Sequence, residues 1–133
     1  MINHFLLLTI SFCLYCNTSF SQLDSVSVSI SFVTDSTLAM DTLIPSETMK
    51  ADIWVNDTDF VGKVMISVYD QSNNRPMARV KYSHAELLQE GYISGNVLSV
   101  PVGYLDSTGQ YSVKVQLQNF QLNYLSPIEI NYP

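Results

Sequence analysis

From residue 25 onward, apolar and polar residues alternate with a period of two along most of the chain. In residues 25–32, Val26, Val28, Ile30 and Phe32 alternate with serines. Successive side chains of a β-strand point to opposite faces, so this pattern is typical of a strand with one buried face. The same alternation returns in residues 51–56, 63–69, 77–82, 96–102, 111–120 and 127–132. The sequence therefore predicts seven strands.

One segment departs from this period and predicts a short helix near residues 84–90. Ser83 and Glu86 have the spacing of a capping box, in which each side chain satisfies a backbone N–H at the start of a helix. Two leucines follow, and Gly91 stands where a helix of this length would end.

The remaining connections have the composition of turns. Residues 56–59, 70–74 and 106–109 are rich in Asn, Asp, Ser and Gly, which hydrogen-bond their own backbone or accept left-handed angles. Seven short strands separated by such turns, within about 110 residues, predict an all-β, antiparallel two-sheet sandwich with the one short helix.

The first residues are predicted to be a secretory signal rather than part of this fold. Residues 5–16 form an apolar run too short for a membrane span, which needs roughly 20 residues. Ser19 and Ser21 supply the small-x-small pattern of a cleavage site. We therefore expect a cleavable signal peptide over residues 1–21 and a single exported domain over residues 22–133. The segment before the run has no Lys or Arg, which leaves a short buried helix or a membrane anchor as the alternative.

The cysteines and the end of this leader add two expectations. Cys13 and Cys16 both lie in the apolar run, so the mature domain would contain no disulfide. The ending Ser-Phe-Ser-Gln over residues 19–22 resembles signal peptides of flavobacteria (Bacteroidetes). Export by such a signal predicts a location in the periplasm, the outer membrane or the cell surface. We also expect no transmembrane segment in the mature chain.

Charge narrows the range of partners. The chain has 6 Lys and Arg against 12 Asp and Glu, all after residue 21, which gives a net charge of −6. Nucleic acid and anionic membrane surfaces are therefore disfavoured, because binding either requires neutralising cations. Arg75, Arg79 and Lys81 form the one local basic patch, which we interpret as the solvated edge of a hairpin.

A motif near the end of the chain carries a resemblance to a known superfold. Leu105, Gly109, Tyr111, Val113 and Val115 stand in L-x-x-x-G-x-Y-x-V-x-V spacing. This resembles the tyrosine corner of immunoglobulin-like and fibronectin type III-like domains. The resemblance implies that Tyr111 bonds backbone a few residues upstream, that Leu105 packs beneath it, and that Val113 takes the place of a core cysteine.

Catalytic chemistry is not predicted. After residue 21 the chain has no cysteine, one histidine (His84) and no G-x-S-x-G elbow, so nucleophile, base and metal ligands are scarce. We therefore expect a non-enzyme without a cofactor, and interpret His84 as an ordinary surface or capping residue. Asp57 and Asp59 are explained by turn formation, and a calcium site is the alternative that they leave open. An enzyme working through these two carboxylates is the least favoured reading.

The outward-facing aromatic residues are the better indication of function. If Ile53 and Val55 point inward, Trp54 points outward, as do Met65, Tyr69 and Phe120 in their own segments. An exposed tryptophan indicates a contact surface. It would pack against a partner protein, stack on a sugar, or be covered by an N-terminal segment or a loop such as residues 38–45.

A further feature favours the protein partner. Residues 25–33 predict a long strand whose only nearby charges are Asp24 and Asp35, and such a strand at a sheet edge can pair with another chain. The sequence thus predicts a protein-interaction domain, acting as an accessory subunit of a cell-envelope or outer-membrane assembly. A carbohydrate-binding module that uses the exposed aromatics is the alternative.

Overall fold

The computed structural model describes residues 25–34 and 47–133, most of which lie in strands and the turns between them. These residues form eight strands: β1 (Val26–Thr34), β2 (Glu47–Val55), β3 (Val61–Asp70), β4 (Pro76–Ser83), β5 (Ile93–Ser94), β6 (Val97–Tyr104), β7 (Tyr111–Asn119) and β8 (Ile128–Tyr132). A 3-10 helix, Thr58–Phe60, precedes β3, and an α-helix, α1 (His84–Gln89), follows β4.

The strands form two antiparallel sheets of four strands each. The first sheet has the order β1-β2-β6-β5 and the second has the order β4-β3-β7-β8. An immunoglobulin-like sandwich likewise places its first, second, fourth and fifth strands in one sheet and the third, sixth and seventh in the other. The strand order is therefore compatible with an immunoglobulin-like fold, with β4 as an additional strand beside β3.

The core fills the space between the two sheets and consists of the inward residues of the alternating segments. Ile53 and Leu98 from the first sheet, and Ile66 and Val113 from the second, are fully buried. The inward side chains of β1 are only partly buried, although they pack against the same core. This difference follows from the position of β1 at the edge of its sheet, where it has one neighbouring strand.

The prediction of seven strands is wrong by one, because β5 was not recognised. Ile93 and Ser94 pair with Leu98 and Val97 across a tight turn at Gly95, whose φ of +59° favours glycine. A strand of two residues is too short to show a period of two. Only its pairing with β6 makes it a strand.

The short helix is confirmed, with a small difference at its start. The Ser83 hydroxyl oxygen accepts the backbone N–H of Glu86 at 3.2 Å, as in a capping box. The hydroxyl in turn donates to the Glu86 carboxylate at 3.2 Å, which replaces the expected bond in which that carboxylate accepts the Ser83 backbone N–H. The chain leaves the helix through Gly91, at a φ of +71°. Leu87, with no exposed surface, anchors α1 to the core.

Two predictions fall outside the described residues, namely the signal peptide of residues 1–21 and the covering loop of residues 38–45. Within the described residues, neither helix has the length and hydrophobicity that crossing a membrane would require.

Candidate binding surfaces

The tyrosine corner is present and has a structural role. The Tyr111 hydroxyl donates to the backbone oxygen of Asp106 at 2.7 Å, and its ring is almost fully buried. Burial raises the pKa of Tyr111, and the nearby Asp106 carboxylate adds to this. A Cβ on Gly109 would lie 2.5 Å from this hydroxyl, so glycine allows the ring to cross the turn. Leu105 packs against the core at the same corner.

Trp54 lies on the outer face of the first sheet. Its neighbours Ile53 and Val55 are buried, whereas 42% of Trp54 is exposed. Across the strand pair it stands opposite Ser27 of β1. Trp54 and the start of β1 line a shallow depression of about 440 Å³. The tryptophan therefore lies beside the edge of its sheet and forms no part of the core.

Strand β1 is the edge of this sheet beside Trp54. It pairs with β2 through nine consecutive residue pairs, from Val26 with Val55 to Thr34 with Glu47, without a bulge. The strand contains no charged residue and no proline, which are common means of blocking further pairing at an edge. Near its end Phe32 packs on Tyr132 of β8, with ring centroids 5.0 Å apart.

Met65 and Tyr69 lie on the opposite side of the molecule, on the outer face of the second sheet. Both belong to β3, where the alternate residues Val64, Ile66 and Val68 are buried. A depression of about 340 Å³ opens on this face. Its lining residues come from three strands and a loop: Met65, Ser67, Tyr69, Arg79, Lys81, Lys114, Gln116 and Tyr124. We call this surface the basic depression.

Phe120 lies at one end of the sandwich, directly after β7. It is 58% exposed, and its ring meets the edge of His84 at a centroid distance of 5.1 Å. Nδ1 of His84 lies 2.9 Å from the backbone oxygen of Val61, so the histidine joins the start of α1 to the start of β3. These contacts give His84 a structural role at the helix start.

The four predicted contact residues therefore do not form one surface. Trp54 lies on the outer face of the first sheet, Met65 and Tyr69 on the outer face of the second, and Phe120 at an end. Alternation distinguishes inward from outward residues within a strand. It does not show which sheet a strand joins, so it cannot group outward residues from different strands.

The acidic pair occupies the turn that the sequence predicts. Asp57 is the N-terminal cap of the 3-10 helix, and its carboxylate accepts the backbone N–H of Asp59 at 2.9 Å. In residues 25–34 and 47–133, no three His, Cys, Asp or Glu side chains gather as a metal site would require. Asp57 thus has a structural role. The absence of a cofactor stays a prediction, with calcium binding near Asp57 and Asp59 as its alternative.

Four residues of the basic depression were missed by the sequence analysis, namely Lys114, Gln116, Tyr124 and Ser67. The first two alternate outward along β7, so their orientation could be predicted. Their neighbours could not, because β7 pairs with a strand about 50 residues earlier in the chain. The membership of the predicted basic patch also changes. Arg75 lies in the turn before β4 and does not line the depression, whereas Lys114 lines it together with Arg79 and Lys81.

Comparison with known proteins finds no matching family model, no matching curated protein and no matching solved structure. The likeness to immunoglobulin-like domains therefore rests on the strand order and the tyrosine corner. The surfaces have to be interpreted from their own geometry.

Proposed function

We propose that this chain is a non-catalytic binding domain that joins a protein partner through strand addition at β1, with Trp54 as an anchor. The observation that supports this most directly is the edge of β1, which has no further strand beside it within residues 25–34 and 47–133, next to an exposed tryptophan. Our proposal includes export to the cell envelope of a flavobacterium-like organism and service as an accessory subunit of an outer-membrane assembly. We also propose that the domain is related to fibronectin type III-like domains.

The edge of β1 offers what an incoming strand needs. One side of the strand is used by β2, and the other carries a row of backbone N–H and C=O groups without a neighbouring strand among the described residues. An added strand satisfies these groups with main-chain hydrogen bonds, while side-chain pockets supply specificity. The inward residues Val28, Ile30 and Phe32 are only partly buried, so an added strand would also remove apolar surface from water.

Trp54 provides the specific anchor beside that edge. Tryptophan is enriched among the residues that dominate binding energy at interfaces, where truncation to alanine costs about 2 kcal/mol or more. More than half of Trp54 is already covered in the folded domain, which restricts its side chain before binding. A partner therefore pays little conformational entropy to use it.

The test is to purify the tagged protein from gently solubilised native envelopes and identify co-purifying proteins by mass spectrometry. Trp54→Ala and Ser29→Lys, the latter placing a charge on β1, should each remove a stoichiometric partner. The matched controls are Tyr104→Ala, which removes another exposed aromatic, and Ser94→Lys, which adds the same charge on the opposite edge strand.

Both controls should retain the partner, and all four variants should melt like the wild type. A protein that purifies alone would contradict the proposal, as would a partner lost equally from the controls. If Trp54→Ala unfolds the domain, its role is packing and the anchor is refuted.

A carbohydrate-binding module is the second candidate function. The specific observation in its favour is the basic depression, where Tyr69 lies beside polar side chains. This surface is on the other sheet from Trp54, so the two candidate functions use different residues and are separable by mutation.

A further inference from the structure

Positive charge is concentrated on one face of this acidic protein. Four of its six Lys and Arg residues, Lys63, Arg79, Lys81 and Lys114, occupy outward positions of β3, β4 and β7. On the strands of this face, within the described residues, Glu129 of edge strand β8 is the acidic residue at an outward position. The face therefore differs in sign from the chain as a whole, whose net charge is −6.

The strand register arranges these cations around the basic depression. Ser67 pairs with Arg79 on one side and with Lys114 on the other. The backbones of these two cations are thus two strand spacings apart, roughly 10 Å. One row further along, Met65 lies between Lys81 and Gln116. The floor of the basic depression is formed by the small Ser67 and the flexible Met65 side chains, and the cations lie at its sides.

These cations are not used to hold the described fold together. Within residues 25–34 and 47–133, Arg79, Lys81 and Lys114 make no ion pair and no side-chain hydrogen bond. Glu129 is the cross-strand neighbour of Lys114, but it does not line the depression. The three cations are therefore available to a negatively charged ligand, and a charge-assisted hydrogen bond is about twice as strong as a neutral one.

Two tyrosines complete the site. Tyr69 lines the depression from β3, and Tyr124 lines it from the loop between β7 and β8. The loop is held against β7 by the backbone bond from Leu125 N–H to Leu117 at 2.9 Å. The Gln118 side-chain amide adds a bond to the backbone oxygen of Leu122 at 3.1 Å. The backbone of Tyr124 is thus held beside β7, while 55% of the residue is exposed.

We propose that the basic depression binds an acidic oligosaccharide, whose carboxylate or sulfate groups pair with Arg79, Lys81 and Lys114. Its volume of about 340 Å³ falls within the range of small-ligand pockets, roughly 300–1000 Å³. The tyrosine rings offer apolar faces to the C–H groups of a sugar. The Ser67 hydroxyl and the Gln116 amide can bond its hydroxyl groups.

An acidic peptide is the competing ligand, and the geometry favours the sugar. A peptide in extended form gains most of its affinity from a free sheet edge. The basic depression lies instead on the face of the sheet, over β3, whose backbone is already paired with β4 and β7. Recognition there depends on side chains alone, which suits a ligand rich in hydroxyl and acidic groups.

The test uses isothermal titration calorimetry with a sulfated heparin hexasaccharide and with hexagalacturonate, which carries carboxylates. Cellohexaose is the neutral sugar, and a short polyglutamate is the acidic peptide. At least one acidic sugar should bind, and which one binds identifies the acidic group. Cellohexaose should not bind, and polyglutamate should bind at least about tenfold more weakly than the acidic sugar.

The variants separate a specific site from general attraction. The double variant Arg79→Gln/Lys114→Gln should weaken binding about tenfold or more, since it removes two charge-assisted contacts. Lys50→Gln removes a cation from the other sheet and should change binding less than about twofold. Tyr69→Leu should weaken binding of the sugar, while Trp54→Ala should leave it unchanged. Thermal melts confirm that each variant is folded.

Three results would overturn the inference: no binding of either acidic sugar, equal binding of polyglutamate, or equal losses in Lys50→Gln and in the double variant. Because Trp54 takes no part in this site, a failure of sugar binding would leave the proposal of strand addition at β1 standing. In the same way, a failure of strand addition would leave the proposed sugar site standing, because the basic depression does not involve Trp54.

Discussion

Replacing Tyr111 by phenylalanine removes one hydroxyl group from the corner and leaves the ring in place. In the wild type that hydroxyl donates to the backbone oxygen of Asp106 at 2.7 Å, across the turn that leads into β7. The ring is almost fully buried and should keep its place in the variant, whereas Asp106 is exposed, so water can partly replace the lost donor. We expect Tyr111→Phe to destabilise the domain without changing its fold.

The size of the effect follows from what remains around the Asp106 oxygen. A typical intramolecular hydrogen bond contributes about 0.5–1.5 kcal/mol, and a buried acceptor left without any partner costs about 1–3 kcal/mol more. The Asp106 oxygen also accepts the backbone N–H of Gly109 at 3.1 Å, so it keeps one partner in the variant. The expected loss in the free energy of unfolding is therefore about 1 kcal/mol, or roughly 4–5 °C in Tm for a domain of about 110 residues.

The assay is urea unfolding followed by circular dichroism, with Tyr104→Phe as the control. Tyr104 is 72% exposed and makes no side-chain hydrogen bond with any described residue, so its hydroxyl should be dispensable. Gly109→Ala should cost more than Tyr111→Phe, because its Cβ would also lie 2.6 Å from a carbon of the Tyr111 ring. A Tyr111→Phe protein as stable as the wild type, or an equal loss in Tyr104→Phe, would refute the reasoning.

Two further predictions test the helix and the turn beside the corner. Leu87→Ala should cost about 2–5 kcal/mol of unfolding free energy, because it empties a fully buried position, whereas Leu88→Ala, at a position 59% exposed, should cost little. If Leu87→Ala and Leu88→Ala lost similar amounts of unfolding free energy in urea, α1 would not be anchored as described. Hydrogen bonds from the Thr108 hydroxyl and backbone N–H hold the pKa of Asp106 below its ordinary value of 3.8. In Thr108→Ala, an NMR titration should therefore find the pKa of Asp106 closer to that value. Since the pKa is lower in the folded state, this stabilisation is present above the ordinary value and lost as the pH falls through the folded pKa. The free energies of unfolding of the wild type and Thr108→Ala should therefore converge in acid. A difference that stays constant with pH would contradict this prediction.

Much of the fold could be predicted because its signals are local. Alternation places Ile53 inward and Trp54 outward through the geometry of a single strand, whatever its neighbours. The cap at Ser83 and the turn at Gly109 likewise depend on residues only a few positions apart. Such features are present in any conformation that keeps the local backbone, so the sequence is sufficient to show them.

The surfaces depend on pairing between distant segments. Lys114 and Arg79 flank Ser67 because β7 and β4 both pair with β3, and β1 is an edge because no strand among the described residues lies on its far side. Pairings of this kind are chosen by the total burial of both sheets, which no short segment encodes by itself.

The sequence by itself therefore determined the strand faces, the short helix and the tyrosine corner, because hydrogen bonds and alternation act over a few residues. Only the tertiary structure decided that Trp54 and Tyr69 lie on opposite sides, that β5 exists, and that three cations surround one depression. The physical reason is that a strand's neighbours are selected by packing across the whole core, whereas its own faces are set by its backbone.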